Sequence, residues 1–525
     1  MARVLIADEL SPAAVAVLEN RGIAVDVRTG LSETDLVAII GDYDGLAVRS
    51  ATKVTAQVLA AAANLKVVGR AGIGVDNIDL AAATSRGVVV MNTPFGNSVT
   101  TAEHTLALML ALARQIPAAD CSTRAGKWEK SRFVGTELAG KVLGLIGCGN
   151  IGSIVADRAH GLKMRVIAYD PYLAPERARD LGVEKVTFED LLARADVISL
   201  HAPLTESTRN LLDRKALART KPGVRIVNCA RGGLLDETAL YDAIRSGHVA
   251  GAALDVFAEE PARHSPLFEL EEVVVTPHLG ASTMEAQEKV AVQIAEQIAD
   301  YLTTGAVVNA LNLPSVSAEE APRLRPYLKL AQQLGSFAGQ LTETGLRAVT
   351  ITYAGQVAGL NTQPLTAALL QGLLAPWLAS VNAVNAPLVA RERNIAVTTA
   401  HSEQAEGYQT LIRLAVETER GERTVAGTLF QEERPRVVEV NGIETEAQLG
   451  PYMLYVRNED KPGIIGALGK TLGDAGINIA TFHLGRARPG GEAIALILVD
   501  QPVSEDLLMA ICALPHVKQC KALRF

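Results

Sequence analysis

The stretch Val142–Ala159, VLGLIGCGNIGSIVADRA, holds Gly147, Gly149 and Gly152 in the spacing G-x-G-x-x-G. An apolar run precedes the glycines and a helical pattern follows them. The next strand-like run, MRVIAYD, ends in Asp170, 18 residues past Gly152. This is a strand–turn–helix–strand unit, and each part has a physical task. Gly147 makes the turn, Gly149 lets a pyrophosphate approach the backbone, and Gly152 lets helix and strand pack closely. The phosphates rest on the helix N-terminus, beside Asn150 and Ile151, where free N–H groups favour an anion. Asp170 accepts hydrogen bonds from the adenosine ribose and repels a 2′-phosphate. Pro171 and Tyr172 supply no cation to offset that repulsion. The reading is an NAD site rather than an NADP site.

Outward from this unit, KVLGLIG, MRVIAYD, VISLH, VRIVNCA, GAALDVF and VVVTPH form one series to about Ser282. Their continuous apolar character fits parallel strands covered on both faces. An earlier series, RVLIAD, AVDVRT, GLAVRS, LKVVGRAG and GVVVMNTP, includes a helix SETDLVAII with a capping-box signal at Ser32 and Asp35. A long helix is expected from about Ser98 to Ile116, with a T-x-x-E start at Thr100 and Glu103. MEAQEKVAVQIAEQIADYL reads as one amphipathic helix returning to the first domain. The first domain is therefore expected to be split, residues 1–97 plus 283–313, around a second at 98–282. The proline-rich LNLPSVSAEEAPRLRP marks a boundary. Residues 315–450 promise helices near 323–341 and 365–380 and a strand-like RVVEVNGI. Residues 452–525 read β-α-β-β-α-β, a ferredoxin-like order.

Composition narrows the class. The 525 residues are 48% hydrophobic and 21% charged, with a net charge of −8. Those figures fit an α/β protein with real cores and argue against a nucleic-acid surface. Five cysteines without a C-x-x-C suggest reduced thiols in a cytosol and no metal. The longest apolar stretch, Leu106–Ala113, is far too short to span a membrane. Asp8 and Glu9 come too early for a signal peptide.

Within GVRIVNCARGGLLDE, Arg231 follows an apolar strand-like run. A guanidinium in low dielectric needs a partner, either a protein carboxylate or a ligand. Among nine histidines, His201 (VISLHAP) and His278 (VVVTPHLGAST) follow strands of the second series. His104, His160, His248 and His264 lie in polar or helical stretches and read as structural or solvent-facing. Glu260, in DVFAEEP, is positioned to stabilise a His278 imidazolium and fix its tautomer.

NCARGG, AALDVFAEEP and TPHLGAST, with VRSATKVT, VVGRAGIGVDNID, VMNTPFGNS, GKWEK and GTELAGK, resemble the D-isomer-specific 2-hydroxyacid dehydrogenases over about residues 1–315. Within that family the likeness is greatest to the branch acting on 3-phospho-D-glycerate. NEDKPGIIGALGKTLGDAGINIATF resembles an ACT regulatory domain, and 315–450 the intervening domain of the long form. The resemblance implies a split flavodoxin-like substrate domain with an inserted Rossmann-like NAD-binding domain. An α+β intervening domain and a ferredoxin-like ACT domain follow.

The resemblance also implies residue roles. Arg231 clamps the substrate's carboxylate and carbonyl, so that its counter-charge is the substrate; His278 is the acid/base and Glu260 polarises it. Asp255 lies near the nicotinamide carboxamide, and His201, Ala202, Cys229, Ala230, Gly280 and Ile73 line the cofactor. Arg49, Ser50, Gly72 and Asn97 contact substrate, and Arg132 reaches a neighbouring subunit's site. Asn458, Asp460 and Asn478 match positions that contact an L-serine effector. The implied activity is NAD-dependent oxidation of 3-phospho-D-glycerate by a homodimer or homotetramer, the first step of phosphorylated L-serine biosynthesis. A hydroxypyruvate or glyoxylate reductase is the alternative on the same scaffold. An NAD-sensing co-regulator is a third reading, opposed by the complete catalytic set.

Overall fold

A computed structural model describes residues 1–317, 319–378 and 380–525 as four β-sheets in sequence. The first sheet contains β1 (Arg3–Ile6), β2 (Ala24–Val27), β3 (Gly45–Val48), β4 (Val67–Arg70) and β5 (Val89–Asn92). Its order is β2-β1-β3-β4-β5, with every pairing parallel. The strands GLAV and VVMN are buried along their whole length, because separate apolar clusters cover the two faces. One cluster includes Val290, Ala291, Ile294, Ala295 and Ile298 of the helix Met284–Thr304. That helix does return to the first sheet. The Thr283 side chain caps its start, and Gly305 ends it at φ 79°. The capping box at Ser32 and Asp35 is present as read.

The second sheet contains β6 (Val142–Ile146), β7 (Arg165–Tyr169), β8 (Glu184–Lys185), β9 (Val197–Leu200), β10 (Val224–Asn228), β11 (Val249–Leu254) and β12 (Val273–Val275). Its order, β12-β11-β10-β9-β6-β7-β8, reverses direction between β6 and β9. A parallel sheet opens a binding crevice at such a switch, beyond the carboxyl ends of its strands. The glycine loop leaves β6 at that crevice.

The helix joining the two sheets differs from the sequence reading. It runs Ser98–Arg114, and a second helix, Ile116–Arg124, follows Gln115 in the left-handed region at φ 54°. Thr100 and Glu103 lie inside the first helix, and Asn97 occupies the cap position without a side-chain bond.

The third sheet holds β13 (Leu346–Gly355), β14 (Ala396–Ser402), β15 (Thr410–Thr418), β16 (Gly421–Phe430), β17 (Arg434–Val440) and β18 (Ile443–Ala447). It packs on helices Ala321–Leu341 and Gln363–Leu374. RVVEVNGI is not one strand but the turn of a hairpin. Asn441 and Gly442 both take positive φ, 51° and 75°, as a two-residue hairpin turn requires. The fourth sheet, β20-β21-β19-β22, contains β19 (Met453–Glu459), β20 (Ile479–Arg486), β21 (Glu492–Val499) and β22 (Val517–Leu523). Its residues Met453, Tyr455, Ile494, Leu496 and Leu523 share one continuous apolar cluster with the third sheet and its helices. Among the described residues no helix is long and apolar enough to cross a membrane.

Candidate active site

Three neighbouring parallel strands, β10, β11 and β12, end level with one another: Asn228 is in register with Leu254, and Leu254 with Val275. Arg231, Glu260 and His278 follow these three ends in turn. His278 has a positive φ of 56°, which turns it sharply out of its strand. Its Nδ1 lies 2.7 Å from Glu260 Oε2, and Glu260 Oε1 accepts the Phe257 N–H at 3.0 Å. Burial disfavours the Glu260 carboxylate, but His278 and the Phe257 N–H outweigh it and hold its pKa below the ordinary value. A fixed carboxylate on Nδ1 leaves Nε2 to exchange a proton with a ligand.

Asp255, expected near the nicotinamide carboxamide, has a wholly buried and fully engaged side chain. It accepts from Thr276 Oγ1 (2.6 Å), Leu279 N (2.7 Å) and Gly280 N (2.8 Å), with His104 Nε2 at 3.2 Å. Desolvation opposes its charge, but these donors keep its pKa below the usual carboxylate range. Asp255 thus ties down the turn that carries His278, whose own N–H donates to the Asp255 carbonyl at 2.9 Å. Gly280 joins the same network, its N–H donating to Asp255 and its carbonyl accepting from Thr101 Oγ1. His104 belongs to this network and does not face solvent.

Arg231 Nε donates to Asp76 Oδ2 at 3.0 Å, so a protein carboxylate from the first lobe partners it, one of the two partners its sequence context allows, where the family resemblance implies the substrate. Its Nη1 donates to the Ala230 carbonyl at 2.7 Å. The two glycines after it are required for different reasons: a Cβ on Gly232 would run into the Phe257 carbonyl, and Gly233 takes a positive φ of 80°. That close approach brings the Arg231 loop against the Phe257–Glu260 loop. Asn228 shapes the turn by accepting the Ala230 N–H and donating to the Arg231 carbonyl.

Sequence reasoning missed Arg70, the last residue of β4. It is largely buried, its Nε has no partner, and burial followed by repulsion from Arg231 pushes its pKa down to about 10. Arg49 adds to that repulsion, so Arg49, Arg70 and Arg231 form one cationic cluster. The signal was present, since Arg70 ends a parallel strand as Arg49 follows one. The Arg49 guanidinium makes only a 3.4 Å contact from Nη1 to the Glu9 carbonyl, and Ser50 is exposed. Asn97 is buried with Oδ1 unpartnered. Gly72 donates its N–H to Thr93 Oγ1 and the Ile73 carbonyl accepts from Asn92, so this loop is pinned. The Gly72 N–H is therefore not free for substrate. Arg132 is bound by Glu271 at 2.6–2.7 Å and by Glu129 at 3.1 Å, on the surface of its own chain and outside this cluster.

The glycine loop fits a dinucleotide. Gly147 has φ 94°, and a Cβ on Gly152 would strike the Gly147 carbonyl. A Cβ on Gly149 would meet nothing within 4 Å, so the space before the helix Asn150–Gly161 is open, and no side chain caps that helix. Asp170 braces the loop through the Cys148 and Tyr172 N–H groups, both at 2.8 Å. Ile151 and Ala202 are half-buried at the loop, and Asn150 is exposed. His201 is enclosed beneath it. Burial lowers its pKa to about 4, so it is neutral; it pairs with Ser199 and leaves Nδ1 unpartnered. Burial raises the Cys229 thiol to about 12, which removes it as a nucleophile.

The three effector candidates are each engaged within the fourth sheet. Asn458 is wholly buried, Asp460 pairs with Arg486 at 3.1 Å, and Asn478 donates to Asp500 at 2.7 Å. The Asn458 side chain is fully buried with its Oδ1 unpartnered.

Comparison with known proteins places this geometry. Residues 106–280 match the D-isomer specific 2-hydroxyacid dehydrogenase NAD binding domain. Residues 323–441 match the D-3-phosphoglycerate dehydrogenase intervening domain, and 452–516 the ACT domain. The D-3-phosphoglycerate dehydrogenase of Synechocystis sp. is 43% identical over 520 residues, 99% of this chain and 94% of that one. The Bacillus subtilis enzyme of the same name is 41% identical, covering 99% of both chains. Among solved structures, a glyoxylate reductase from Paecilomyes thermophila aligns at TM-score 0.56 and 31% identity, over 59% of this chain and 98% of that one. A D-lactate dehydrogenase from Escherichia coli aligns at 0.52 and 27%, over 59% and 100%. A reductase and a dehydrogenase of known structure align over 59% of the chain, and curated relatives run nearly its whole length: the chain belongs to the D-3-phosphoglycerate dehydrogenases of the D-isomer specific 2-hydroxyacid dehydrogenase family.

Proposed function

We propose that this chain oxidises 3-phospho-D-glycerate to 3-phosphohydroxypyruvate with NAD. The observation that carries the reading is the His278–Glu260 pair at 2.7 Å beside an arginine cluster, all at the crevice edge of a dinucleotide-binding sheet. When bound, the nicotinamide accepts a hydride. The chain's own residues do the rest. Arg231 holds the carboxylate and the developing carbonyl with its planar fork. His278 Nε2 takes the hydroxyl proton, and Glu260 stabilises the imidazolium that results. Arg70 and Arg49 provide the charge for a phosphorylated substrate. Gly147, Gly149, Gly152 and Asp170 hold the dinucleotide.

The glyoxylate and hydroxypyruvate reductases are the second reading, favoured by the likeness of the first two sheets to a glyoxylate reductase. The arginine trio and the full-length relatives favour the phosphorylated substrate. NADH absorbance with 3-phosphoglycerate, D-glycerate and D-lactate side by side, coupled to remove product, separates the readings. Highest kcat/KM with 3-phosphoglycerate is expected; preference for an unphosphorylated acid rejects the proposal. The match to an ACT domain supports a small-molecule effector, which we take to be L-serine. The working form is a cytosolic homo-oligomer.

A further inference from the structure

Arg231 is held by a carboxylate of its own chain, and that carboxylate comes from the opposite lobe. We infer that Asp76 is an internal stand-in for the substrate's carboxylate: it occupies Arg231 while no substrate is present and yields the guanidinium when a 2-hydroxy acid arrives. The inference rests on the reading of Arg231 as the carboxylate clamp.

Three observations carry it. Asp76 Oδ2 engages Arg231 at Nε, 3.0 Å away, with the Asp76 side chain 65% exposed. Such a carboxylate swings into water at little cost, because an exposed ion pair is weak. Next, the same loop lies directly on the guanidinium: a Cβ on Gly74 would overlap Arg231 Nη2. The loop bearing Asp76 therefore occupies the face of Arg231 that a bidentate carboxylate needs. Last, the charge balance calls for a temporary partner. Arg49, Arg70 and Arg231 repel one another, with Asp76 and Asp8 as the neighbouring carboxylates. Asp8 is fixed in place, accepting the backbone N–H groups of Arg49 and Thr52 and the Thr52 hydroxyl. Asp76 is the exposed carboxylate of the two and the one able to turn away from the cluster. A substrate with a carboxylate and a phosphate brings its own negative charge, and Asp76 then competes with it.

Asp76→Asn keeps the shape and removes the charge. In the full chain, KM for 3-phosphoglycerate is expected to fall about fivefold with kcat unchanged, the effect of one partly exposed ion pair. The calorimetric Kd for D-glycerate, measured at saturating NADH where no turnover occurs, should fall by a similar factor. Asp76→Glu, which keeps the charge, should retain wild-type values. A KM and Kd that rise or stay constant in Asp76→Asn would overturn the inference and make Asp76 a prop for Arg231. Should the wild-type chain fail to oxidise 3-phosphoglycerate, the proposed substrate falls, while the D-glycerate titration still decides the role of Asp76.

Discussion

His278 shows how much one residue depends on its surroundings. His278→Ala is expected to lower kcat by about a hundredfold or more, the usual weight of a general base. NADH binding, followed by protein fluorescence, should stay normal because the glycine loop is untouched. Glu260→Gln tests the partner and has a pH signature. The Glu260 pKa is lowered in the fold, so its contribution is fully present above the unfolded value and is lost as pH falls through the folded one. The acid loss of activity that depends on Glu260 should therefore lie below the ordinary carboxylate range and vanish in Glu260→Gln. Both residues were legible in the sequence, since each follows a parallel strand. Asp76 on Arg231 was not. The two are far apart in the chain, and an ion pair between lobes leaves no trace in local pattern.

Among the elements, the helix Ser98–Arg114 acts at a distance from its own sequence signals. Thr101 Oγ1 donates to the Gly280 carbonyl at 2.9 Å, and His104 sits 3.2 Å from both Asp255 Oδ1 and Thr276 Oγ1. The helix thus grips the catalytic turn at two points one turn apart. His104→Leu should remove one of four donors to the buried Asp255 carboxylate, costing about 1–3 kcal/mol of stability by thermal unfolding. It should also lower kcat with NADH affinity unchanged. The helix begins at Ser98 as read, but Thr100 and Glu103 lie inside it and no side chain caps its start. Hairpins were harder still: in RVVEVNGI the apolar alternation continues across Asn441–Gly442, and only the Asn-Gly pair marks the turn.

For the whole molecule, the third and fourth sheets share a core. Phe337 packs edge-on to Tyr455 with centroids 6.1 Å apart and stacks on Phe525 at 6.4 Å. A chain ending at residue 451 should expose this apolar face, bind a hydrophobic dye and aggregate on size-exclusion chromatography. A chain ending at 316 removes both partners together and should remain monodisperse with the first two sheets intact. Residues 306–316 lie along the edge of the first sheet, where Leu311 donates to the Val90 carbonyl and the Asn309 carbonyl accepts from Asn92. Phe337→Ala in the full chain should cost about 3–5 kcal/mol. The βαββαβ order was plain from periodicity, but no pattern within residues 452–525 announces which face is covered from outside.

The polypeptide passes between the first two lobes at Asn97–Ser98 and again near Thr283, and Gly280 sits just before the second passage. His278, the proposed proton carrier, therefore stands a few residues from the joint, with Asp255 and Thr101 fastening its turn beside the crossing. Loosening that fastening would disturb site and crossing together.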